Sequence, residues 1–399
     1  MSKKKIKLNF IDDPIVREWI LQFDKKDQLL ATFLLRSMIL VSSASLDKGL
    51  TLSIDKIPVM DKERVALIPI RKPKVSKCLG VVKRPTYTSA ELIGNLLRNK
   101  ERLDGKKYVV DPTIHSMIKE KIKHIVLVDD VIGSGQRVCG YWKRSLPKKI
   151  KSWLSLKYCK IWIVSYAGHR SGIGNIIKTI KNVNRNMIKT YVDLAAKNPI
   201  WTDQVYTLCE KYGQKTYRPM FATGYRKAMS PLVFEHGCPN NVPSILWAKG
   251  KHWKPLFPNR AIPNKLKIYF TDYNTASISS DLLALSNQYT LALKLLDEDE
   301  AQEFYNDNIK IFTILGLLLR GNKYLNLPEL LMSNKDEVEE LIIKAENYGL
   351  VSPTKQVTMF GKDLIKRLRK EKSAKKKEYS YDKKITYIPK QFSLKVAKP

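Results

Sequence analysis

The chain has 399 residues and carries 72 lysines and arginines against 38 aspartates and glutamates, which gives a formal net charge of +34. Such an excess destabilises a compact fold by self-repulsion unless a polyanion neutralises it; nucleic acid is the natural candidate, and a basic surface kept for solubility is the alternative. The 5 cysteines are scattered and form no Cys-x-x-Cys pair, which excludes a disulfide framework and a zinc knuckle. No segment approaches the roughly 18 apolar residues of a membrane span, and no apolar stretch follows the basic start, so we expect a cytoplasmic protein without a membrane segment.

Helical and strand patterns alternate along the first half of the chain. Residues 13–45 repeat apolar side chains at three- and four-residue steps, and Asp13 followed by Pro14 is typical of a helix start. Residues 65–70 are an apolar run that predicts a buried strand, and residues 88–98 have a helical pattern. Further strands are predicted at residues 125–128, 161–166 and 190–194. This alternation predicts an α/β domain with a parallel sheet.

Residues 125–137, IVLVDDVIGSGQR, carry the strongest functional pattern. The apolar run predicts a central strand, which places Asp129 and Asp130 at its carboxyl end, where open α/β sheets bind ligands. The glycine-flanked loop 133–135 precedes a helix, so its N–H groups turn toward one point and suit a phosphate dianion. Two carboxylates beside it can hold ribose hydroxyls, directly or through a magnesium ion. The same order of strand, acids and loop also occurs in other magnesium-phosphate sites.

The segment resembles the signature of type I phosphoribosyltransferases, which bind phosphoribosyl pyrophosphate. The resemblance implies that Asp129 and Asp130 contact the ribose hydroxyls and that phosphoribosyl pyrophosphate or a nucleotide is the ligand. It implies a 5′-phosphate loop made of Gly133, Ser134, Gly135, Gln136 and Arg137. The loop lacks the usual threonines. Phosphate binding is expected to survive this change because backbone groups and Ser134 suffice, but specificity for phosphoribosyl pyrophosphate does not follow. The pyrophosphate loop is expected at residues 69–72, with Arg71 and Lys72, or at residues 88–90.

A second resemblance is carried by Gly224 and Tyr225 and by the segment FEHGCPNNVPSILW, which ends at Trp247. It is similar to the end of the phosphoribosyltransferase-like domain of bacterial conflict systems (PRTase-CE type), and with the early helices and the Gly-Ser-Gly loop the resemblance covers residues 13–247. Followed by a winged helix, this domain is the arrangement of effectors in one class of retrons, antiphage systems that pair a reverse transcriptase and its RNA-linked DNA with a toxic effector. The polar residues of the segment are candidates for substrate recognition, with a self-bonded turn as the alternative: Glu235, His236, Asn240 and Asn241.

Residues 308–370 have the order helix, helix, helix and wing, which resembles a winged helix-turn-helix. Helices are predicted at 308–319, 326–332 with Asn326 as cap, and 335–348, followed by short strands at 350–353 and 357–360. In a DNA reader the third helix enters the major groove, but the exposed face of this one is acidic and phosphates repel it. We therefore expect it to contact protein or to pack. The acids are Asp336, Glu337, Glu339, Glu340 and Glu346.

Nucleic acid is expected instead where cations alternate with aromatic rings, foremost at residues 141–153 and then at 249–267 and 366–377. The chosen cations are Lys143, Arg144, Lys148, Lys149, Lys151, Lys366, Arg367, Arg369 and Lys370. Trp153, in the first stretch, is an equally good core residue. Residues 366–377 are expected to form a disordered arm, either simply solvated or ordered by a partner.

Five regions are expected: an N-terminal helical region (1–60), the phosphoribosyltransferase-like domain (61–275), a connecting helix (276–306), the winged helix (307–370) and a basic tail (371–399). The leading hypothesis is a toxic retron effector that transfers or cleaves at the anomeric carbon of a ribose phosphate, with phosphoribosyl pyrophosphate, a nucleotide or NAD as substrate. Its partners would be the reverse transcriptase and the DNA–RNA product, and oligomerisation stays open. The alternatives are a non-catalytic ligand-sensing regulator, like the purine repressor of Gram-positive bacteria, and a plain salvage enzyme.

Overall fold

A computed structural model describes the chain over residues 10–60, 63–71, 89–194, 201, 203–270, 283, 306–331 and 333–370. Its strands are β1 (Ile39–Val41), β2 (Val65–Pro69), β3 (Tyr108–Val110), β4 (His124–Ile132), β5 (Lys160–His169), β6 (Ile188–Leu194) and β7 (Leu232–Phe234). The helices of the larger domain are α1 (Pro14–Leu21), α2 (Gln28–Arg36), α3 (Ser43–Asp55), α4 (Ser89–Leu103), α5 (Ile114–Lys119), α6 (Gln136–Arg144), α7 (Lys148–Ser155), α8 (Arg170–Thr179) and α9 (Asp203–Gly213).

A parallel five-stranded sheet in the order β3-β2-β4-β5-β6 forms the centre of this domain, which confirms the predicted fold class. Apolar residues of α3 and α4 cover one face of the sheet, and those of α6, α7 and α8 cover the other. After β2 the chain moves outward to β3 and then returns to the opposite side of β2 with β4. The direction of strand order therefore reverses between β2 and β4, which is where such sheets bind ligands beyond their carboxyl ends.

The early helices α1 and α2 pack on α9 and on the irregular segment that follows it. The side chains of Trp19, Phe23, Tyr212 and Trp253 meet there in edge-on and tilted ring contacts. Asp13 caps α1 by accepting a hydrogen bond from the backbone N–H of Ile15, with Pro14 at the first position, as predicted. These helices thus belong to the same folded body as residues 203–270.

Two parts of the larger domain differ from the sequence expectation. Residues 39–41 and 232–234, expected within a helical and an irregular region, are the parallel strands β1 and β7 that pair with each other. β4 continues to Ile132, so Asp129 and Asp130 lie inside its last part rather than after it. The partner β2 has already ended, because its last paired residue, Pro69, aligns with Val128.

The carboxy-terminal domain has the helices α10 (Asn306–Leu319), α11 (Leu327–Leu330), α12 (Lys335–Asn347) and α13 (Met359–Lys370) around one apolar core. The wing is reduced to a single antiparallel bridge between Val351 and Val357, and the predicted strand 357–360 is wrong in its second half because α13 begins at Met359. Asn326 precedes α11 without a side-chain capping bond, whereas Asn334 caps α12.

The basic tail also differs in part from its expectation. Residues 366–370 complete α13 instead of starting a disordered arm, because Gly361 and Ile365 anchor this helix in the domain core. Residues 371–377 lie outside the described residues, as do residues 276–305 of the predicted connecting helix 276–306 apart from Leu283, which is buried in the same core. None of the helices in the described part of the chain is both long and apolar enough to cross a membrane.

Candidate functional site

Asp129 and Asp130 lie side by side and buried near the end of β4, with exposed fractions of 0% and 5%. Asp129 Oδ1 accepts from the backbone N–H of Asp130 at 3.0 Å, and Asp130 Oδ1 accepts from that of Val131 at 2.8 Å. Because β2 ends at the level of Val128, both acids lie on β4 just beyond the end of β2, at the reversal of strand order. The structure thus places the predicted acids where a ligand of this fold binds.

The guanidinium of Arg137 joins the two acids. Its Nη1 donates to Asp129 Oδ1 at 2.5 Å, to Asp130 Oδ1 at 3.1 Å and to Ser89 Oγ at 3.3 Å. The resemblance implied a place for Arg137 in the phosphate loop. Its backbone is there, in the first turn of α6, but its side chain is directed at the carboxylates.

His236 completes the acid cluster from a distant part of the chain. Its Nε2 lies 3.1 Å from Asp130 Oδ2, and its ring stacks on Phe234 of β7. Both oxygens of Asp130 therefore have partners. Asp129 Oδ2 is buried and has no hydrogen-bond partner among the described residues, which leaves it as an acceptor for a ligand hydroxyl.

The two carboxyl groups differ in their proton affinity. Burial, reinforced by the neighbouring charge of Asp130, raises the pKa of Asp129 well above its ordinary value. Burial also acts on Asp130, but the positive charge of Arg137 and the hydrogen bond from His236 outweigh it and lower the pKa of Asp130. The adjacent Asp129 carboxylate in turn raises the pKa of Arg137, which keeps the guanidinium charged.

The loop 133–135 connects β4 to the amino-terminal end of α6, a position that suits a phosphate. Gly135 has a φ of +74°, a left-handed conformation that favours glycine, and it is the N-cap of α6. The first N–H groups of a helix have no acceptor within the helix and carry the positive end of its dipole. Asn175 of α8 holds the loop by donating to the carbonyl of Ser134 at 2.9 Å.

Residues of the segment 224–241 lie against this loop. Tyr225 donates its hydroxyl hydrogen to Gln136 Oε1 at 2.6 Å. A Cβ at Gly133 would lie 3.2 Å from Asn241 Nδ2, and both amide atoms of buried Asn241 lack partners in the described part of the chain. Of the predicted recognition residues, His236 therefore lies at the acid pair and Asn241 lies beside the loop.

The other recognition candidates lie elsewhere or outside the described residues. Glu235 accepts from the backbone N–H of Ser43, and Asn240 is exposed and accepts through its carbonyl from the backbone N–H of Tyr225. Arg71 follows β2 and pairs with Asp111 at 2.5 Å. Lys72 lies outside the described residues. Sequence reasoning missed Asn175, which joins the site from a segment without a motif. Ser89 and Tyr225 lie in segments that the sequence singled out, but their contacts with Arg137 and Gln136 were not predicted.

The donor set does not suit a magnesium ion held by the protein alone. Magnesium requires about six oxygen ligands in octahedral arrangement. Here the cation Arg137 already bridges Asp129 and Asp130, and among the described residues no group of three or more His, Cys, Asp or Glu is placed to hold a metal. The magnesium prediction therefore stays a prediction, without support from these side chains.

The predicted nucleic-acid residues form an exposed basic surface at the far end of α6. Lys143 and Arg144 end this helix, and Lys148 and Lys149 begin α7; all four are exposed. Lys151 is half-buried and donates to the carbonyl of Lys143 at 3.1 Å.

Two tryptophans belong to the same surface. Lys149 Nζ lies 5.9 Å from the ring centre of Trp153, and Lys151 Nζ lies 6.0 Å from that of Trp142. Both rings are half-buried against the sheet core, so Trp153 is in part the core residue of the alternative interpretation.

The remaining predicted nucleic-acid residues lie in α13. Lys366 and Arg367 are exposed on it, whereas Arg369 and Lys370 belong to the same helix with side chains outside the described set.

Four of the five acids of the third helix of the carboxy-terminal domain, α12, bind side chains of this chain. Asp336 pairs with Lys56 of the larger domain at 2.6 Å, and Lys56 also donates to Asn334 at 3.0 Å. The remaining pairs are Glu337 with Lys310, Glu339 with Tyr324, and Glu346 with Lys355. The helix α11 packs against β6 beside them. These contacts agree with the expectation that α12 packs, whereas contact with another protein stays a prediction.

The parallel sheet, the acid pair at its strand-order reversal and the glycine loop define a phosphoribosyltransferase-like domain, joined to a winged helix. A model of the PRTase-CE family matches residues 16–259, more than half of the chain, and the chain therefore belongs to that family. A second model, described as wHTH-PRTase associated, matches residues 312–393. No curated protein is similar enough to match.

Proposed function

We propose that the chain is the toxic effector of a retron-type antiphage system, in which the phosphoribosyltransferase-like site acts on a ribose phosphate or nucleotide. A reverse transcriptase with its RNA-linked DNA regulates it. The observation that carries the proposal is the pairing, in a PRTase-CE chain with an associated winged helix, of a buried acid pair with a glycine loop at the same strand end.

The site can hold a ribose phosphate at both of its polar ends. The loop and the positive end of α6 suit the phosphate, and Asp129 Oδ2 offers a buried acceptor to a sugar hydroxyl. A sugar held at both ends presents its anomeric carbon in a fixed position for transfer or for cleavage by water. Phosphoribosyl pyrophosphate, a nucleotide and NAD all contain the required ribose phosphate.

Two features support the proposed partners. The net charge of +34 and the exposed cations at the end of α6 favour nucleic acid, and a steep salt dependence is expected of that contact. In DNA-binding winged helices the amino-terminal end of the third helix reads the bases. In this chain that end of the third helix, α12, is paired with Lys56. Regulation is therefore proposed to act through protein contacts and the basic surface rather than through operator DNA.

The test is expression in bacteria of the wild type and of Asp129→Asn/Asp130→Asn, each with and without a cognate reverse transcriptase and its RNA, with growth and nucleotide pools followed. We expect toxicity from the wild type alone, with the fall of one ribose-phosphate metabolite, which then identifies the substrate class. Asp104→Asn/Asp363→Asn removes the same charge from two exposed positions and should remain toxic.

A second candidate is a non-catalytic ligand sensor, and Arg137 favours it because this cation already neutralises part of the acid pair. In that case the acid double variant would behave like the wild type in the growth assay. Nucleic-acid binding that changes on addition of a ribose phosphate would then support the sensor.

A further inference from the structure

The acid cluster contains its own cation. Arg137 Nη1 contacts one oxygen of each aspartate, at 2.5 Å and 3.1 Å, and its side chain is 35% exposed beside two buried aspartate side chains. Two adjacent buried carboxylates are unfavourable without a compensating charge, and breaking such a pairing leaves an uncompensated charge in the interior. In many phosphate and sugar sites a divalent cation supplies that charge, whereas here a side chain of the chain itself does.

The hydrogen bonds leave one oxygen of the pair for a ligand. Asp129 Oδ1 and Asp130 Oδ1 each accept from a backbone N–H and from Arg137, and Asp130 Oδ2 is bonded to His236. Asp129 Oδ2 is the remaining oxygen, buried and without a partner among the described residues. A single oxygen is a suitable acceptor for one sugar hydroxyl, but it supplies only one of the several oxygen ligands that a metal ion needs.

Arg137 is also held in this position from a third side. Ser89 Oγ, at the start of α4, accepts from Nη1 at 3.3 Å, and the backbone of Arg137 is fixed by the first turn of α6. Nη1 of Arg137 is therefore occupied by the two carboxylates and Ser89. These contacts tie the guanidinium to the acid pair, although the backbone of Arg137 belongs to the loop segment.

We propose that Arg137 is the resident counter-ion of the acid pair, so that this site binds a pentose 5-phosphate without a divalent cation and offers Asp129 Oδ2 to one ribose hydroxyl. The inference rests on the proposed ribose-phosphate site and specifies how that site recognises the sugar. Arg137 acts as a positioning residue, because it holds the carboxylates and not the phosphate.

The experiment is calorimetric titration of the full chain with ribose 5-phosphate, once in EDTA and once in magnesium buffer. We expect the wild type to bind equally well in both. Arg137→Gln should lose at least about tenfold in affinity in EDTA, and magnesium should restore part of the loss. Arg137→Lys keeps the charge and should recover part of the affinity in EDTA. Arg98→Gln, which removes an exposed arginine of α4, should match the wild type in both buffers.

The outcomes separate this inference from the function on which it rests. Wild-type binding that requires magnesium overturns the inference alone, and it needs no variant that could fail to fold. Absence of wild-type binding in both buffers overturns the ribose-phosphate site and the inference with it. Titration with inorganic phosphate gives the remaining distinction: if Arg137→Gln weakens phosphate as much as ribose 5-phosphate, Arg137 is a phosphate ligand and the inference is wrong.

Discussion

Gly172 of α8 lies so close to the phosphate loop that a side chain has no room. A Cβ at this position would be 2.0 Å from the carbonyl oxygen of Gly133 and 3.0 Å from the backbone nitrogen of Gly135. Real Cβ atoms do not approach backbone atoms so closely, so either the loop or the helix would have to move. The closeness of α8 therefore helps to fix the conformation of the proposed phosphate loop.

Gly172→Ala should accordingly lower the free energy of unfolding by about 1–3 kcal/mol and weaken ribose 5-phosphate binding, because the loop is displaced. Gly174→Ala, two residues further on the same helix, is the matched control. A Cβ there meets nothing within 4 Å, and a helix-interior alanine in place of glycine should stabilise by up to about 1 kcal/mol. Urea unfolding and calorimetry measure both variants. Equal behaviour of the two would show that the loop tolerates the displacement.

The acid pair and the loop could be predicted because their residues are adjacent in one segment of the sequence. Asp129, Asp130 and the loop follow an apolar strand directly, so strand, acids and glycines identify one another. The direction of a side chain is not encoded in this way, and the turn of Arg137 toward the acids is visible only in three dimensions. Asn175 arrives from a segment whose local pattern carries no signal of a site. His236 and Ser89 lie in segments that the sequence singled out, but their contacts with Asp130 and Arg137 are visible only in the structure.

At the scale of elements, an asparagine that precedes a helix in the sequence does not always form the capping hydrogen bond. Asn326 and Asn334 both precede helices of the carboxy-terminal domain. Only Asn334 accepts a capping hydrogen bond, from the backbone N–H of Glu337 at 2.9 Å, and it also accepts from Lys56. Its side chain therefore serves both the helix and the contact between the two domains.

Asn334→Ala should destabilise α12 by about 1 kcal/mol through loss of the cap. Asn326→Ala, the matched asparagine without a capping bond, should have a clearly smaller effect. Hydrogen exchange of the amides in Lys335–Asn347 measures the local stability without assuming that the whole chain unfolds in one step. Faster exchange in the Asn326 variant than in the Asn334 variant would contradict the assignment of the cap.

Long elements were predictable and short ones were not. β4, β5 and α12 have apolar patterns of the right period over many residues, and the sequence identifies all three. β1 and β7 have three residues each and exist because they pair across about 190 residues of chain, a contact that local periodicity does not record. The wing is shorter than predicted, since its pairing among the described residues is the single bridge between Val351 and Val357.

At the scale of the whole molecule, the helix α6 connects two proposed sites. Its first turn follows the proposed phosphate loop, and its last turn ends in Lys143 and Arg144 on the basic surface. A polyanion bound at that surface would therefore lie about 14 Å from the loop, the length of a nine-residue helix. The net charge alone predicts a polyanionic partner. It does not predict that the proposed binding surface for this partner and the candidate ribose-phosphate site lie at the two ends of one helix.

Binding of a single-stranded oligonucleotide should weaken steeply with salt, because cations of the chain replace counterions on the phosphates. Four exposed cations of α6 and α7 test whether this surface is responsible, whereas half-buried Lys151 is left unchanged because it bonds to the backbone. The four are Lys143, Arg144, Lys148 and Lys149. Their replacement by glutamine should reduce the slope of log affinity against log salt by up to about 3, at about 0.7 for each phosphate contact.

The matched control removes the same charge elsewhere on the larger domain, at four exposed lysines distant in sequence from this surface. These are Lys25, Lys26, Lys106 and Lys121. If the net charge of +34 merely attracts nucleic acid at long range, both quadruple variants will weaken binding to a similar extent. If the surface at the end of α6 is the binding site, the first variant will lose affinity and salt slope while the control keeps both. The comparison thus separates a located interface from a general attraction of the whole molecule.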